Sequence, residues 1–208
     1  MRFKKLGSIL SVVLISGLMV IPTGIASKVY ASVSEAINKL IMVEDSVVNE
    51  FAAGVKIMVD EEFEEPKDWD GEKTKKIVTI PNQGTTPAFI RVAIVPRWED
   101  ENSNPWPGDV SSDVVKITYT KNTKWVNGND GYYYYNEIVP GGEKTDSIIE
   151  DVELDTDKID KEKYKGKSLI VDVKAEAVEA SSEAYNAVWQ GLNDNTKALL
   201  DKLLGITK

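Results

Sequence analysis

The sequence predicts an all-β protein, specifically a jelly-roll-like antiparallel β-sandwich with a short N-terminal leader and a C-terminal helical segment. From residue 51 onward, short apolar or alternating runs are separated by turns rich in Gly, Pro, Asn and Asp. Seven or eight short strands at this spacing are typical of sandwiches and jelly rolls. With 42% hydrophobic and 28% charged residues, the composition favours a packed core over disorder.

The elements follow one another in a simple order. We predict a signal peptide over 1–31, a leader over 32–48, the β-sandwich over 49–180 and a helical extension over 181–208. Within the sandwich, apolar or alternating runs predict strands at 55–59, 76–81, 87–96, 114–120, 124–126, 132–139, 147–154 and 168–178. Polar and charged stretches predict loops at 60–70, 99–113 and 155–166. Helical spacing over 182–204 is interrupted near Gly191.

The N-terminus has the layout of a secretory signal peptide. Basic residues at positions 2, 4 and 5 precede an uncharged stretch that is strongly apolar over 6–21. Pro22 then interrupts any helix. Small residues before Ser32 offer a signal-peptidase site after Ala31, and an alternative site lies after Ala26. The other interpretation is a retained membrane anchor, because the uncharged run is almost long enough to span a bilayer.

Cleavage after Ala31 predicts a secreted protein at the cell surface or in the extracellular matrix, in contact with the membrane only during export. It leaves 208 − 31 = 177 residues with 21 basic and 34 acidic side chains, a net charge of −13 compared with −9 for the whole chain. This acidic balance argues against nucleic acid as a partner, since phosphate binding needs a basic surface.

The amino-acid composition excludes several kinds of catalytic and metal-binding site. The chain has no histidine and no cysteine. It therefore has no disulfide, no cysteine nucleophile, no Cys/His zinc site, no Ser-His-Asp triad and no HExxH motif. We predict no enzymatic activity and no cofactor.

One loop carries a weak calcium motif. Asp100, Asn102 and Asn104 match the first ligand positions of an EF-hand loop. That loop also needs Gly at the sixth position and Glu at the twelfth, where this chain has Pro105 and Ser111. A polar surface loop is the favoured interpretation.

Aromatic side chains supply the other candidate binding residues. In a strand, alternate members of the run 132–135 (Tyr-Tyr-Tyr-Tyr) face opposite sides. We expect one pair to pack in the core and the other to cover the sheet, although a sugar- or partner-binding strip is the alternative. Trp98 and Trp106 flank the acidic loop and are predicted to anchor it. Glu176, in the last strand, is a candidate for assisting a Lys–Asn isopeptide crosslink.

The order of several motifs resembles a known family. The motifs are the segment 45–55 (DSVVNEFAAGV), Glu61-Glu62-Phe63, the segment 82–92 (NQGTTPAFIRV), the segment 131–135, Pro140-Gly141-Gly142-Glu143 and Ala175-Glu176-Ala177. Together they cover about 43–189. The chain resembles the SipW-dependent biofilm-matrix proteins of the TasA/camelysin group, and within them the clostridial BsaA-like branch. It departs from that pattern in its longer leader and in the extension 193–208.

The resemblance implies a jelly-roll subunit of an extracellular fibre, whose partner is further copies of itself. In related proteins the N-terminal segment of one subunit completes the sheet of the next, which is β-augmentation. From this resemblance we predict that 36–48 is the donor strand, and the mixed helix and strand propensity of its residues agrees with that role. Its apolar members are Ala36, Ile37, Leu40, Ile41, Met42, Val43, Val47 and Val48.

Two other functions compete with fibre formation. One is a monomeric adhesin or carbohydrate-binding sandwich that uses the tyrosine run or the Trp98–Trp106 loop. The other is a metallopeptidase, because camelysin-like relatives have been described as such. A zinc site without histidine would need carboxylates alone, which suit calcium or magnesium better, so we rank this function last.

Overall fold

A computed structural model describes residues 54–63 and 70–206, together with the main chain of 2–3 and 49–50. The predicted signal peptide, apart from residues 2–3, and the leader 32–48 lie outside the described residues. The cleavage site at Ala31 and Ser32 and the donor segment 36–48 are therefore predictions on which the structure does not bear.

The described residues form mainly β-strands, with two α-helices near the C-terminus. The strands are β1 (Arg2–Phe3), β2 (Asn49–Glu50), β3 (Lys56–Ile57), β4 (Asp60–Phe63), β5 (Thr74–Thr79), β6 (Ala88–Glu99), β7 (Pro105–Trp106), β8 (Val115–Tyr119), β9 (Trp125–Asn127), β10 (Tyr133–Tyr135), β11 (Ile149–Leu154) and β12 (Ser168–Glu179). A 3₁₀ turn (Thr156–Lys158) follows β11, and the helices are α1 (Ser182–Val188) and α2 (Asp194–Leu203).

The strands form two larger sheets and one short pair. The first sheet has the order β1-β12-β6-β10-β9, with β7 also paired to β6, and the second has the order β4-β5-β11-β8. Strands β2 and β3 pair with each other. The longest ladder joins β6 to β12, from Ser168 opposite Glu99 to Glu179 opposite Ala88. Every described pairing between these strands is antiparallel except that of β1 with β12. The prediction of an all-β protein is thus confirmed.

Three predicted boundaries are wrong, and each has a physical reason. The predicted loop 60–70 contains β4, in which exposed Asp60 and Glu62 alternate with partly buried Glu61 and buried Phe63 as the strand pairs with β5. The predicted loop 99–113 contains β7, which pairs with the end of β6. Strand β6 continues through Pro96 to Glu99. At Pro96 itself, the only strand partner among the described residues is β12. Proline is tolerated where a strand is bonded on one side alone.

One hydrophobic cluster draws on both larger sheets. Ile90 and Val92 of β6 share it with Val78 of β5 and with Val152 and Leu154 of β11. The inward residues of β12 belong to it as well: Leu169, Val171, Val173, Ala175 and Ala177. Because side chains alternate along a strand, every second residue of β6 and β12 faces the opposite side of the first sheet.

The C-terminal helices cover part of that opposite side. A second cluster joins Phe89, Tyr134 and Val178 of the sheet to Tyr185, Trp189 and Leu200 of the helical segment. Ser181 and Asn193 cap the two helices by accepting hydrogen bonds from Ala184 N and Thr196 N. The predicted break is confirmed, since α1 ends at Val188 and Gly191 has a φ of +73°. Among the described residues, no helix is both long and apolar enough to cross a membrane.

Candidate functional site

Strand β12 lies between β1 and β6 in the first sheet. One side of it is bonded along its whole length to β6. On the other side, its outer edge, the described residues pair only with its first two positions, where Arg2 lies beside Ser168 and Phe3 beside Leu169 in parallel register. The stretch 170–179 has no strand partner on its outer edge among the residues that the structure describes, and residues 170–173 are buried.

This outer edge is long compared with the terminal strands of the two larger sheets. Those strands are β1 with 2 residues, β4 with 4, β8 with 5 and β9 with 3, whereas β12 has 12. Native proteins usually keep exposed edges short or protect them with charges, because an open edge is a template for adding another strand. Among the described residues, the outer edge of β12 is therefore the candidate position for an added strand.

A charged cluster lies on the outer face of the sheet beside this edge. Arg97 of β6 donates to Asp172 of β12 (Nε–Oδ2 2.6 Å) and to Glu99 (Nη1–Oε1 2.5 Å). Both carboxylate side chains are almost fully buried, and Arg97 is partly exposed. Burial alone lowers the pKa of Arg97, but these two hydrogen bonds outweigh it and raise the pKa above its ordinary value.

The cluster has more acceptor atoms than donors. Asp172 Oδ1 and Glu99 Oε2 are buried and have no hydrogen-bond partner among the described residues. A buried acceptor without a donor costs free energy. With two carboxylates and one guanidinium, the cluster carries a formal negative charge, so it suits a further donor or cation.

A second buried ion pair holds the C-terminal helices on the sheet. Arg91 donates to Glu176 from Nε (2.8 Å) and Nη2 (2.7 Å), both to Oε2. Its guanidinium carbon lies 3.9 Å from the ring centroid of Tyr132 and 4.6 Å from that of Trp189. Tyr132 donates to the other carboxylate oxygen of Glu176 (2.9 Å). The partners of Glu176 are thus arginine and tyrosine, and the predicted isopeptide role has no Lys–Asn pair among these contacts.

The tyrosine run 132–135 divides between the two faces of the sheet, as predicted. Tyr135 belongs to the main cluster and Tyr133 packs against it, whereas Tyr134 and Tyr132 contact the helical cluster. Arg91 donates to the Tyr134 hydroxyl (3.1 Å), which in turn donates to Asp130 (2.7 Å). Burial raises the pKa of Tyr134, and the hydrogen bond to Asp130 adds to the shift. The run is therefore part of the internal packing.

Trp98 and Trp106 anchor the loop between β6 and β8, as predicted. The Trp98 indole donates to Asp109 O (2.9 Å), and both indoles meet the Tyr164 ring edge-on, with centroid distances of 4.9 and 4.7 Å. Gly108 lies against both indoles, since a Cβ there would come within 2.4 Å of Trp98 and 2.7 Å of Trp106. The aromatic side chains are used to hold the loop in place.

The candidate calcium residues form a closed turn. Asp100 Oδ1 accepts from Asn102 N and Asn104 N (both 2.9 Å), and Oδ2 accepts from Asn104 Nδ2 (3.2 Å). The hydrogen bonds from Asn104 lower the pKa of Asp100 below its ordinary value. Within 54–63 and 70–206, no group of three or more acidic side chains is arranged to hold a metal ion.

A third ion pair lies under the edge of the second sheet. Lys76 Nζ of β5 is 2.8 Å from Glu61 Oε2 of β4, and both side chains are at least nine-tenths buried. The Lys76 ammonium also lies 5.3 Å from the Phe63 ring centroid. These contacts explain why an acidic segment forms a strand here.

Comparison with known proteins gives no assignment: no protein-family model, no curated protein and no solved structure matches the chain.

The sequence patterns singled out Glu176 but not Arg91, Arg97 or Asp172 as candidate site residues. A signal was present, because charges within β6 and β12 recur at even spacing between apolar residues: Arg91, Arg97 and Glu99 in β6, and Asp172, Lys174 and Glu176 in β12. Such spacing puts these charges of each strand on one face. Which of them form ion pairs follows only once the strand register is known.

Proposed function

We propose that the chain is a secreted structural subunit of extracellular biofilm-matrix or pilus-like fibres, with a jelly-roll-like sandwich as its body. Subunits assemble by donor-strand β-augmentation, in which the segment 36–48 of one copy pairs with the free edge of β12 in the next. The observation that carries the proposal is that β12, a strand of 12 residues, has only Ser168 and Leu169 paired on its outer edge by described residues.

The energetics favour such a contact. Each main-chain hydrogen bond that replaces hydration contributes about 0.5–1.5 kcal/mol. Burial of the apolar side chains of the donor segment adds about 25 cal/mol for each Å² removed from water. A donor that is tethered to its own folded subunit links each copy to the next, so the same contact repeats along a fibre.

The charge and the aromatic packing support a structural role. A charge of −13 on the exported chain keeps subunits apart until a specific contact outweighs the repulsion. The tyrosine run and the two tryptophans, on which the adhesin alternative depends, are used in internal contacts. These contacts favour assembly over glycan binding.

Deletion of 32–48 tests the proposal. The exported chain should form concentration-dependent fibres in electron micrographs, whereas the deletion variant should stay monomeric with an unchanged circular dichroism spectrum in the β region. A matched control keeps the length and composition of 36–48 but scrambles its order, and it should also fail to form fibres. Fibres formed by the deletion variant at the same concentration would rule out the donor assignment.

A mixing experiment tests the direction of the contact. The deletion variant keeps the β12 edge but has no strand to give, so it should end the growth of any fibre that it joins. Added to the intact chain at a small molar fraction, it should shorten the fibres in proportion to that fraction. An unchanged length distribution would show that the deletion variant does not engage the donor strand.

A further inference from the structure

Two tyrosines from different sheets are in ring contact. Tyr119 ends β8, an edge strand of the second sheet, and Tyr133 begins β10 in the first sheet. Their ring centroids are 4.9 Å apart and the ring planes are inclined by 30°. The contact therefore connects the two sheets through a pair of phenols.

The pair is accessible to reagents in solution. Tyr119 is 39% exposed, and Tyr133 is partly buried against the main cluster. The pair therefore combines close rings, a fixed relative orientation and a side open to solvent. Two tyrosyl radicals held in this way can couple before either is quenched.

A second pair of tyrosines, Tyr132 and Tyr134, has neither the close rings nor the open side of the first pair. Tyr132 and Tyr134 have ring centroids 6.4 Å apart, and Tyr134 is almost fully buried. Their hydroxyls are held by hydrogen bonds to Glu176 and Asp130. This second pair therefore serves as an internal comparison.

We propose that Tyr119 and Tyr133 form a site of oxidative crosslinking, at which a haem peroxidase with hydrogen peroxide produces an intramolecular dityrosine. Each phenol loses one electron and its hydroxyl proton, and the two radicals form a carbon–carbon bond between the ring positions next to the hydroxyls. The hydrogens on those two carbons then move to the phenolic oxygens and restore the aromatic rings. Overall the tyrosines lose two hydrogen atoms, and one hydrogen peroxide becomes two waters.

This crosslink fits a chain that has no cysteine. A disulfide cannot form in this sequence, so a covalent link between the sheets needs another pair of side chains. A dityrosine between β8 and β10 would close the loop that contains β9 and restrict the unfolded chain in the same way as a disulfide. The inference does not depend on fibre assembly.

The test uses the purified full chain, kept dilute and treated with a haem peroxidase and hydrogen peroxide. We expect dityrosine fluorescence, a monomer mass that is lower by two hydrogen atoms, and a peptide map in which residue 119 is joined to residue 133. Tyr119→Phe and Tyr133→Phe should each reduce the fluorescence to the level of untreated protein, whereas Tyr132→Phe should leave it unchanged.

Three results would overturn the proposal. They are an absence of dityrosine in the treated chain, a product that forms only between molecules, and a peptide map that joins other tyrosines. Circular dichroism of the two Phe variants shows whether each is folded. A folded variant without dityrosine has lost a coupling partner, whereas an unfolded variant has lost the site as a whole. The peptide map of the unmodified sequence decides the question even where a variant does not fold.

Discussion

Glu176 lies directly opposite Arg91 across the β6–β12 ladder, and the Arg91 Nη2 atom is 2.7 Å from the Glu176 Oε2 atom. The pair is largely buried beneath Tyr132 and Trp189. It therefore connects β12 to the C-terminal helices that cover the sheet.

Removing one charge from this pair should destabilise the protein. Glu176→Gln keeps the shape of the side chain but leaves a buried guanidinium without its counter-charge, which costs about 3 kcal/mol in the free energy of unfolding. Urea denaturation measures the change. The matched control is Glu137→Gln in the exposed pair with Lys124, which has a similar 2.8 Å contact and should show no measurable change. Equal effects of the two substitutions would contradict the role assigned to Glu176.

Asn193 should contribute more than a helix cap. It caps α2 through its Oδ1 and also donates from Nδ2 to Gly128 O (2.7 Å), in the turn between β9 and β10. Asn193→Ala should cost about 2 kcal/mol, since it loses both a cap and a tether. Asn193→Asp keeps the acceptor and should cost about half as much. Ser181→Ala removes a cap alone from α1 and is the matched control, measured by the same urea titration. An Asn193→Asp variant as stable as the unmodified chain would exclude the tether, because only the donor to Gly128 O is lost in that substitution.

The turn at 100–104 should loosen in acid. Hydrogen bonds from Asn104 depress the pKa of Asp100 in the folded state. Its stabilising contribution is therefore present above the unfolded carboxyl pKa of about 3.9 and is lost as the pH falls through the lower folded value. An NMR titration should show Asp100 protonating below the ordinary range, together with faster amide exchange at Asn102 and Asn104. An ordinary Asp100 pKa would contradict the hydrogen-bonded turn.

Gly108 should tolerate no side chain. A Cβ at this position would come within 2.4 Å of the Trp98 ring and 2.7 Å of the Trp106 ring. Because these indoles also pack against Tyr164, Gly108→Ala should cost about 1–3 kcal/mol through overpacking. Thermal unfolding followed by tryptophan fluorescence measures the loss. The control is Glu101→Ala, at an exposed position of the same loop, which should leave the unfolding midpoint unchanged. A Gly108→Ala variant with an unchanged midpoint would contradict the prediction, because it would show that the indoles can move aside.

Local patterns were sufficient to predict much of the fold. Apolar runs identified the strands that became β6, β11 and β12, and helical spacing identified the segment that contains α1 and α2. The alternation of the tyrosine run indicated that Tyr134 and Tyr135 face opposite sides, because this depends only on the period of a strand.

The missed features depend on contacts between residues far apart in the sequence. Strand β4 has an acidic sequence, and only its pairing with β5 and the buried contact of Glu61 with Lys76 explain it. The partnership of Arg97 with Asp172 likewise depends on strand register. Single-sequence patterns do not encode register, so they could not show which strand lies next to β12 or how much of its outer edge the described residues leave without a strand partner.

Cryo-electron microscopy of fibres grown from residues 32–208 would show whether β12 accepts a strand from the next subunit. We expect density for an added strand along 170–179 of β12, continuous with the N-terminal leader of the neighbouring subunit and carrying side chains that fit the sequence 36–48. Fibres in which that edge is bare, or in which the leader contacts only its own subunit, would contradict strand donation at β12.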